Sequence, residues 1–132
     1  MSDDQVPEHV KHWYRRQSEI TVIPTTGGGE FITIKGQSIQ DIKTGWNDAL
    51  VAITPDGEYY LLAEDRGNDL VLEHMLSQPF FQRISDSSIV NIKRIISVDI
   101  ENRTVFFKDD SKIVEDEYWS DFIQKYENRS EL

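Results

Sequence analysis

The side chains that could do chemistry fall in two runs. Arg83, Ser85, Asp86, Ser87, Ser88, Lys93 and Arg94 lie in one, and Asp109, Asp110, Glu115, Asp116 and Glu117 in the other. The five carboxylates have the oxygen chemistry for Mg²⁺ or Ca²⁺, but their order lacks the ligand spacing and the glycine of an EF-hand loop. Consecutive acids on a loop are ordinarily solvated. The serines have no histidine nearby in the chain, and there is no Gly-x-Ser-x-Gly, no His-Glu-x-x-His and no cysteine nucleophile. Neither an enzyme nor a metal or cofactor site is expected, so the two runs are read as binding surface.

Charge limits what such a surface can bind. Lys and Arg total 14 against 24 for Asp and Glu, a formal charge of -10, which repels a phosphate backbone at long range. The most basic short segment is the N-terminal one, with His9, Lys11, His12, Arg15 and Arg16. Val6, Val10, Trp13 and Tyr14 recur there at spacings of three and four, so an amphipathic helix is expected from Pro7 to about Ser18. Its basic face is read as solvated, with a phosphate-tracking arm as the sharper alternative. His9 and His12 lack a nearby third ligand for a metal. The chain starts Met1-Ser2-Asp3-Asp4, without a basic leader, and has no apolar run long enough to span a bilayer. A cytoplasmic, soluble protein is expected.

Positioning elements follow from periodicity. Gly27-Gly28-Gly29 reads as a linker, because three glycines carry too much backbone freedom for an element interior. Short strands are expected at 31–35, 39–43 and 48–54, then a Pro55-Asp56-Gly57 turn and a strand at 58–63. A short helix capped by Asn68 or Asp69 should run to about Ser77 with Leu72, Met75 and Leu76 inward, stopped by Pro79. Strands at 82–84, 96–100, 104–108 and 112–114 follow. Tyr118, Trp119, Phe122, Ile123 and Tyr126 predict a terminal helix over 116–127. The expected core is Phe31, Ile34, Val51, Ile53, Leu61, Leu72, Leu76, Phe81, Ile84, Val90, Ile95, Val98, Val105 and Phe107. Asn91, lying between apolar residues, is expected to hydrogen-bond a turn backbone.

The run Phe80 to Ile95 resembles the signature of LytTR-type DNA-binding domains. That signature reads aromatic, x, Arg, Ile or Val, His, Arg or Asn, Ser, aromatic, apolar, Val, Asn, apolar, x, x, Ile. Phe81, Arg83, Ile84, Ser87, Ile89, Val90, Asn91 and Ile95 fit it, while Ser85, Asp86 and Ser88 replace the His, the Arg or Asn, and the second aromatic. Further on, Val105 to Tyr118 keeps the frame of the family's last hairpin. Val114 and Tyr118 match, and Glu115-Asp116-Glu117 replaces its Ser-Arg-x segment.

The resemblance implies a mainly β fold: LytTR-like small antiparallel sheets with one short internal helix, plus N-terminal and C-terminal helices. Residues 1–29 would be the N-terminal helix and glycine-rich linker, 30–127 the LytTR-like domain and 128–132 a tail. It further implies transcription regulation through DNA, read by Ser85 and Asp86 on one loop and Asp116 and Glu117 on another. Arg83, Lys93 and Arg94 would supply basic support, although Arg83 could instead pair with Asp86 or Asp99. Two unit charges about 4 Å apart interact by roughly 1 kcal/mol in water and roughly 4 at an effective dielectric near 20. Reversing the loop charges thus weighs against a specific-to-non-specific gap of about 4–10 kcal/mol. The alternative is a protein-interaction module on the same scaffold, with a partner such as a related regulator.

Overall fold

Among the described residues, hydrophobic alternation is converted into two antiparallel sheets and two α-helices. The computed structural model describes residues 19–26, 29–45, 48–61 and 68–132. The expected N-terminal helix lies outside the described residues. The strands are β1 (Glu19–Pro24), β2 (Ile32–Lys35), β3 (Asp41–Thr44), β4 (Leu50–Thr54), β5 (Gly57–Leu61), β6 (Phe81–Ser85), β7 (Ser88–Asn91), β8 (Ser97–Asp99), β9 (Thr104–Phe106) and β10 (Ser111–Ile113). Helix α1 spans Asn68–Leu76 and α2 spans Asp116–Glu127. A seven-stranded sheet runs in the order β2-β1-β5-β4-β3-β7-β6, and a three-stranded sheet in the order β10-β9-β8.

The sheet corrects two expectations. β1 precedes the glycine run yet pairs with both β2 and β5, so the expected boundary at residue 29 falls inside the large sheet. Phe31, expected in the core, is 65% exposed. Strand parity explains it: Ile34, opposite Ile20, packs against the core, and Phe31, three residues earlier, has the opposite, outward parity. The strand expected from residue 39 begins at Asp41, because Gly36–Ser38 forms a 3₁₀ turn. Ile39 is buried beside that turn. Residues 129–131, expected as tail, form another 3₁₀ turn, and Leu132 packs against the second core.

Local chemistry explains the turns that set register. At Pro55-Asp56 the hydroxyl of Thr54 accepts from the Asp56 N–H (3.2 Å) and donates to the Gly57 carbonyl (3.0 Å). Gly57 has φ 145°, a conformation that glycine adopts without a Cβ clash. Asn68 does not cap α1; its side-chain amide donates to the Asp48 carbonyl.

Two cores meet at β7. One gathers Val22, Ile39, Ile42, Leu50, Ala52, Phe81 and Ile89 under Leu72 and Met75 of α1. The other gathers Ile84, Val90, Ile92, Val105, Phe107 and Val114 around Phe122 of α2. Ile89 and Val90 are both fully buried, each in a different core, so this strand reads as a continuous apolar run without alternation. A register shift between Arg83 and Ser85 of β6 marks a bulge at Ile84, whose side chain lies in the second core.

Asn91, at the end of β7, ties the segments together. Its side-chain amide donates to the carbonyls of Ile39 (2.9 Å) and Gln37 (3.2 Å), and its side-chain oxygen accepts from the Lys93 N–H (3.0 Å). Its backbone N–H donates to the Gln40 carbonyl (2.8 Å). Asp41 is a second buried polar group, 1% exposed, and burial holds its carboxyl above the ordinary range. It accepts from Gln40 (2.9 Å) and faces Lys112 of the small sheet across 3.7 Å.

Asn91→Ala removes three side-chain hydrogen bonds and strands the buried Ile39 carbonyl, which alone costs about 1–3 kcal/mol. The variant should lose at least about 2 kcal/mol of unfolding free energy in urea melts, with the m-value unchanged. A loss within about 0.5 kcal/mol of zero would refute the structural role.

Candidate nucleic-acid interface

The bulge in β6 also builds a site. With its ladder pairing interrupted, the carbonyl of Ile84 accepts the backbone N–H of Glu115 (2.9 Å). That bond draws the start of α2 alongside the β6–β7 turn. Asp116 and Glu117 occupy the first turn of α2, where carboxylates suit the positive end of the helix dipole. The hydroxyl of Tyr118 donates to the carboxylate of Asp86. The two segments singled out in the sequence, Ser85–Asp86 and Asp116–Glu117, therefore stand side by side.

Within the turn, the side-chain oxygen of Ser85 accepts from the Ser87 N–H (3.2 Å). Arg83 donates to the Asp86 backbone carbonyl (2.7 Å), so its partner is the turn backbone and not the carboxylate of Asp86 or Asp99. The hydroxyl of Thr44 donates to the Ser87 carbonyl (3.4 Å), placing the end of β3 at the same edge. Asp86 and Ser87 are exposed, while Ser85 and Arg83 are half-buried.

Lys93 and Arg94 do not join this group. They lie in the 3₁₀ turn Ile92–Arg94, beyond the opposite end of β7. At about 3.3 Å per residue the extended stretch from Ser87 to Asn91 alone separates them by roughly 13 Å. Arg94 donates to the Gln37 carbonyl (3.0 Å), and the Lys93 ammonium sits 6.0 Å from the Phe80 ring centroid.

Arg103, which no motif or periodicity singles out, lies between β8 and β9. It pairs with Asp116, and its guanidinium lies 5.6 Å over the Trp119 ring. The carboxylate run is also divided. Asp109 and Asp110 precede β10 and Asp116 and Glu117 follow it, with Asp110 3.3 Å from Lys112. Among the described residues no three His, Asp or Glu side chains are grouped to hold a metal ion. No helix among them is long and apolar enough to cross a membrane.

A solved LytTr DNA-binding domain from Bacillus cereus matches this structure with a TM-score of 0.64. The match covers 82% of this chain and 95% of that one, at 16% sequence identity. The fold is LytTR-like. No family model matches the sequence, and no curated protein matches it. In this LytTR-like frame the β6–β7 turn and the start of α2 form one end of the molecule, joined by the Tyr118–Asp86 bond.

That bond is measurable. Donation to Asp86 pushes the Tyr118 hydroxyl up to about 12, against an ordinary value of about 10. A raised value in the folded state means that the bond's contribution to stability is full below about pH 10 and is lost as the pH rises through about 12. Ultraviolet titration of the phenolates should show one late-ionising tyrosine that returns toward the ordinary range in Asp86→Ala. Identical titration curves for the two proteins would contradict the contact.

Proposed function

We propose that this chain is a DNA-binding domain of LytTR type that engages DNA with the end formed by the β6–β7 turn and the start of α2. The observation that carries the proposal is the convergence of Ser85–Asp86 and Asp116–Glu117 on one exposed end, through the Ile84–Glu115 and Asp86–Tyr118 bonds. These are the two segments that the LytTR pattern assigns to DNA.

Of the acids there, Asp116 is charge-paired with Arg103, while Asp86 keeps its charge because Tyr118 is a neutral donor. Arg83 and Arg103 bring guanidinium groups to the same end. Phosphate contacts supply affinity and base edges supply sequence preference, so a surface that mixes acids with arginines exchanges affinity for selectivity. Acidic side chains also accept from the cytosine amino group in the major groove. Lys93 and Arg94, beyond the far end of β7, belong to the framework of the Asn91 turn in this reading, not to the base-reading surface. Transcription regulation is the role that such binding would serve.

One observation favours a protein partner instead. On the outer face of the small sheet Phe106 is 39% and Ile113 70% exposed, and exposed apolar patches mark docking sites.

The deciding experiment is a titration of the whole chain with duplexes from upstream of its own operon, at low and moderate salt. A specific complex is expected, weakening steeply with salt and about 10³-fold or more tighter than an unrelated duplex. Absence of any specific complex at low salt would overturn DNA binding in favour of the protein-docking role.

A further inference from the structure

We infer that Arg103 reads a guanine in the DNA site and that Asp116 and Trp119 hold its guanidinium in position for this. The inference rests on the DNA-binding reading above and names the base that this end selects.

Arg103 occupies the β8–β9 turn with φ 49°, a left-handed conformation uncommon for a residue with a side chain. The turn is fixed from both sides. The Asp99 carboxylate accepts from the Asn102 side-chain amide (2.7 Å) and backbone N–H (3.3 Å), bonds that hold its carboxyl below the usual range. The Arg103 carbonyl accepts the Val114 N–H (2.8 Å). Its side chain leaves this turn toward the first turn of α2, where it meets Asp116 and the face of Trp119.

Stability does not account for the arrangement. The Asp116 side chain is 92% exposed, and ion pairs in that setting contribute little. What the pair does is orient. A guanidinium has five N–H donors in a planar fork; one nitrogen is engaged by Asp116, and the Trp119 ring lies against the group. The contact with Asp116 is made through Nη1, which leaves Nη2 and Nε as the donors for a base edge. Guanine, with O6 and N7 side by side in the major groove, is the base edge matching such a fork. Phosphate is the other acceptor a guanidinium serves, and it carries no sequence information. Where the LytTR frame has an arginine this chain has Asp116, and the guanidinium arrives beside it from the neighbouring turn.

The test uses the whole chain and the operon duplex it binds best, with each G·C pair replaced in turn by A·T. Arg103→Gln should weaken the parent duplex about 10- to 100-fold and remove the penalty for replacing one particular G·C pair. Arg103→Lys should not restore that preference, because an ammonium lacks the planar fork. Asp116→Asn should keep part of the affinity while blunting preference at the same pair. Melting curves matching the wild type establish that the variants are folded, and base preference is a readout that a merely structural role would not move. The inference is overturned if Arg103→Gln weakens every duplex alike and lowers the salt slope by about one, the mark of a phosphate contact. It is equally overturned if base preference is unchanged. A wild type without a specific complex would instead remove the DNA-binding reading itself, and this is recorded before any variant is compared.

Discussion

The fold depends on one buried amide. Asn91 has 0% exposure and bonds to Gln37, Ile39 and Lys93, so it joins the turn before β3 to the turn after β7. Those two strands are neighbours in the large sheet, with Asp41 opposite Val90 and Ile42 opposite Ile89. Fixing their ends sets which residue of β7 faces which core, and a slip of one position would exchange Ile89 and Val90 between them. An apolar residue of similar size could fill the space. It could not satisfy the buried carbonyl of Ile39, which is why an amide stands in a run that is otherwise apolar.

The same strand links packing to the candidate interface. β7 ends at Asn91 on one side and at the Asp86-Ser87 turn on the other, so anchoring one end steadies the other. Opposite that turn, the bulge in β6 gives up a ladder bond and spends the freed carbonyl on Glu115. The small sheet completes the frame by delivering Arg103 to Asp116. Side chains from three separate segments are held at one end by a few bonds, several of them to backbone, which is how short strands can place groups as firmly as a recognition helix would.

Much of this was legible in the sequence, and the exceptions have physical causes. Phe81, Ile84, Val90 and Asn91 could be placed because a strand flanked by two cores requires apolar residues in succession and a turn-bonding amide after them. The terminal helix was legible over its full length, since five aromatic and apolar residues repeat at helical spacing. Phe31 was misplaced because inward and outward faces on an edge strand are decided by the register with β1, which local composition does not contain. β1 itself was hidden by the glycines beside it, whose freedom reads as a linker although a sheet can cross it. Asp116 reads as a bare repulsive charge because the sequence does not say that Arg103 pairs with it. Arg103 and Asp116 belong to different elements, and no periodicity connects them. Lys93 and Arg94 were grouped with the loops by proximity in the chain, whereas the extended β7 carries them to its far end.

The central claim is that DNA meets the end built from the β6–β7 turn, the β8–β9 turn and the start of α2. Backbone amide shifts recorded by NMR on the whole chain, with and without a saturating operon duplex, test it most directly. The account predicts changes concentrated at residues 84–88, 101–104 and 115–119, with residues 36–38 and 92–94 little affected. Changes centred on 36–38 and 92–94 and absent from the three turns would contradict it.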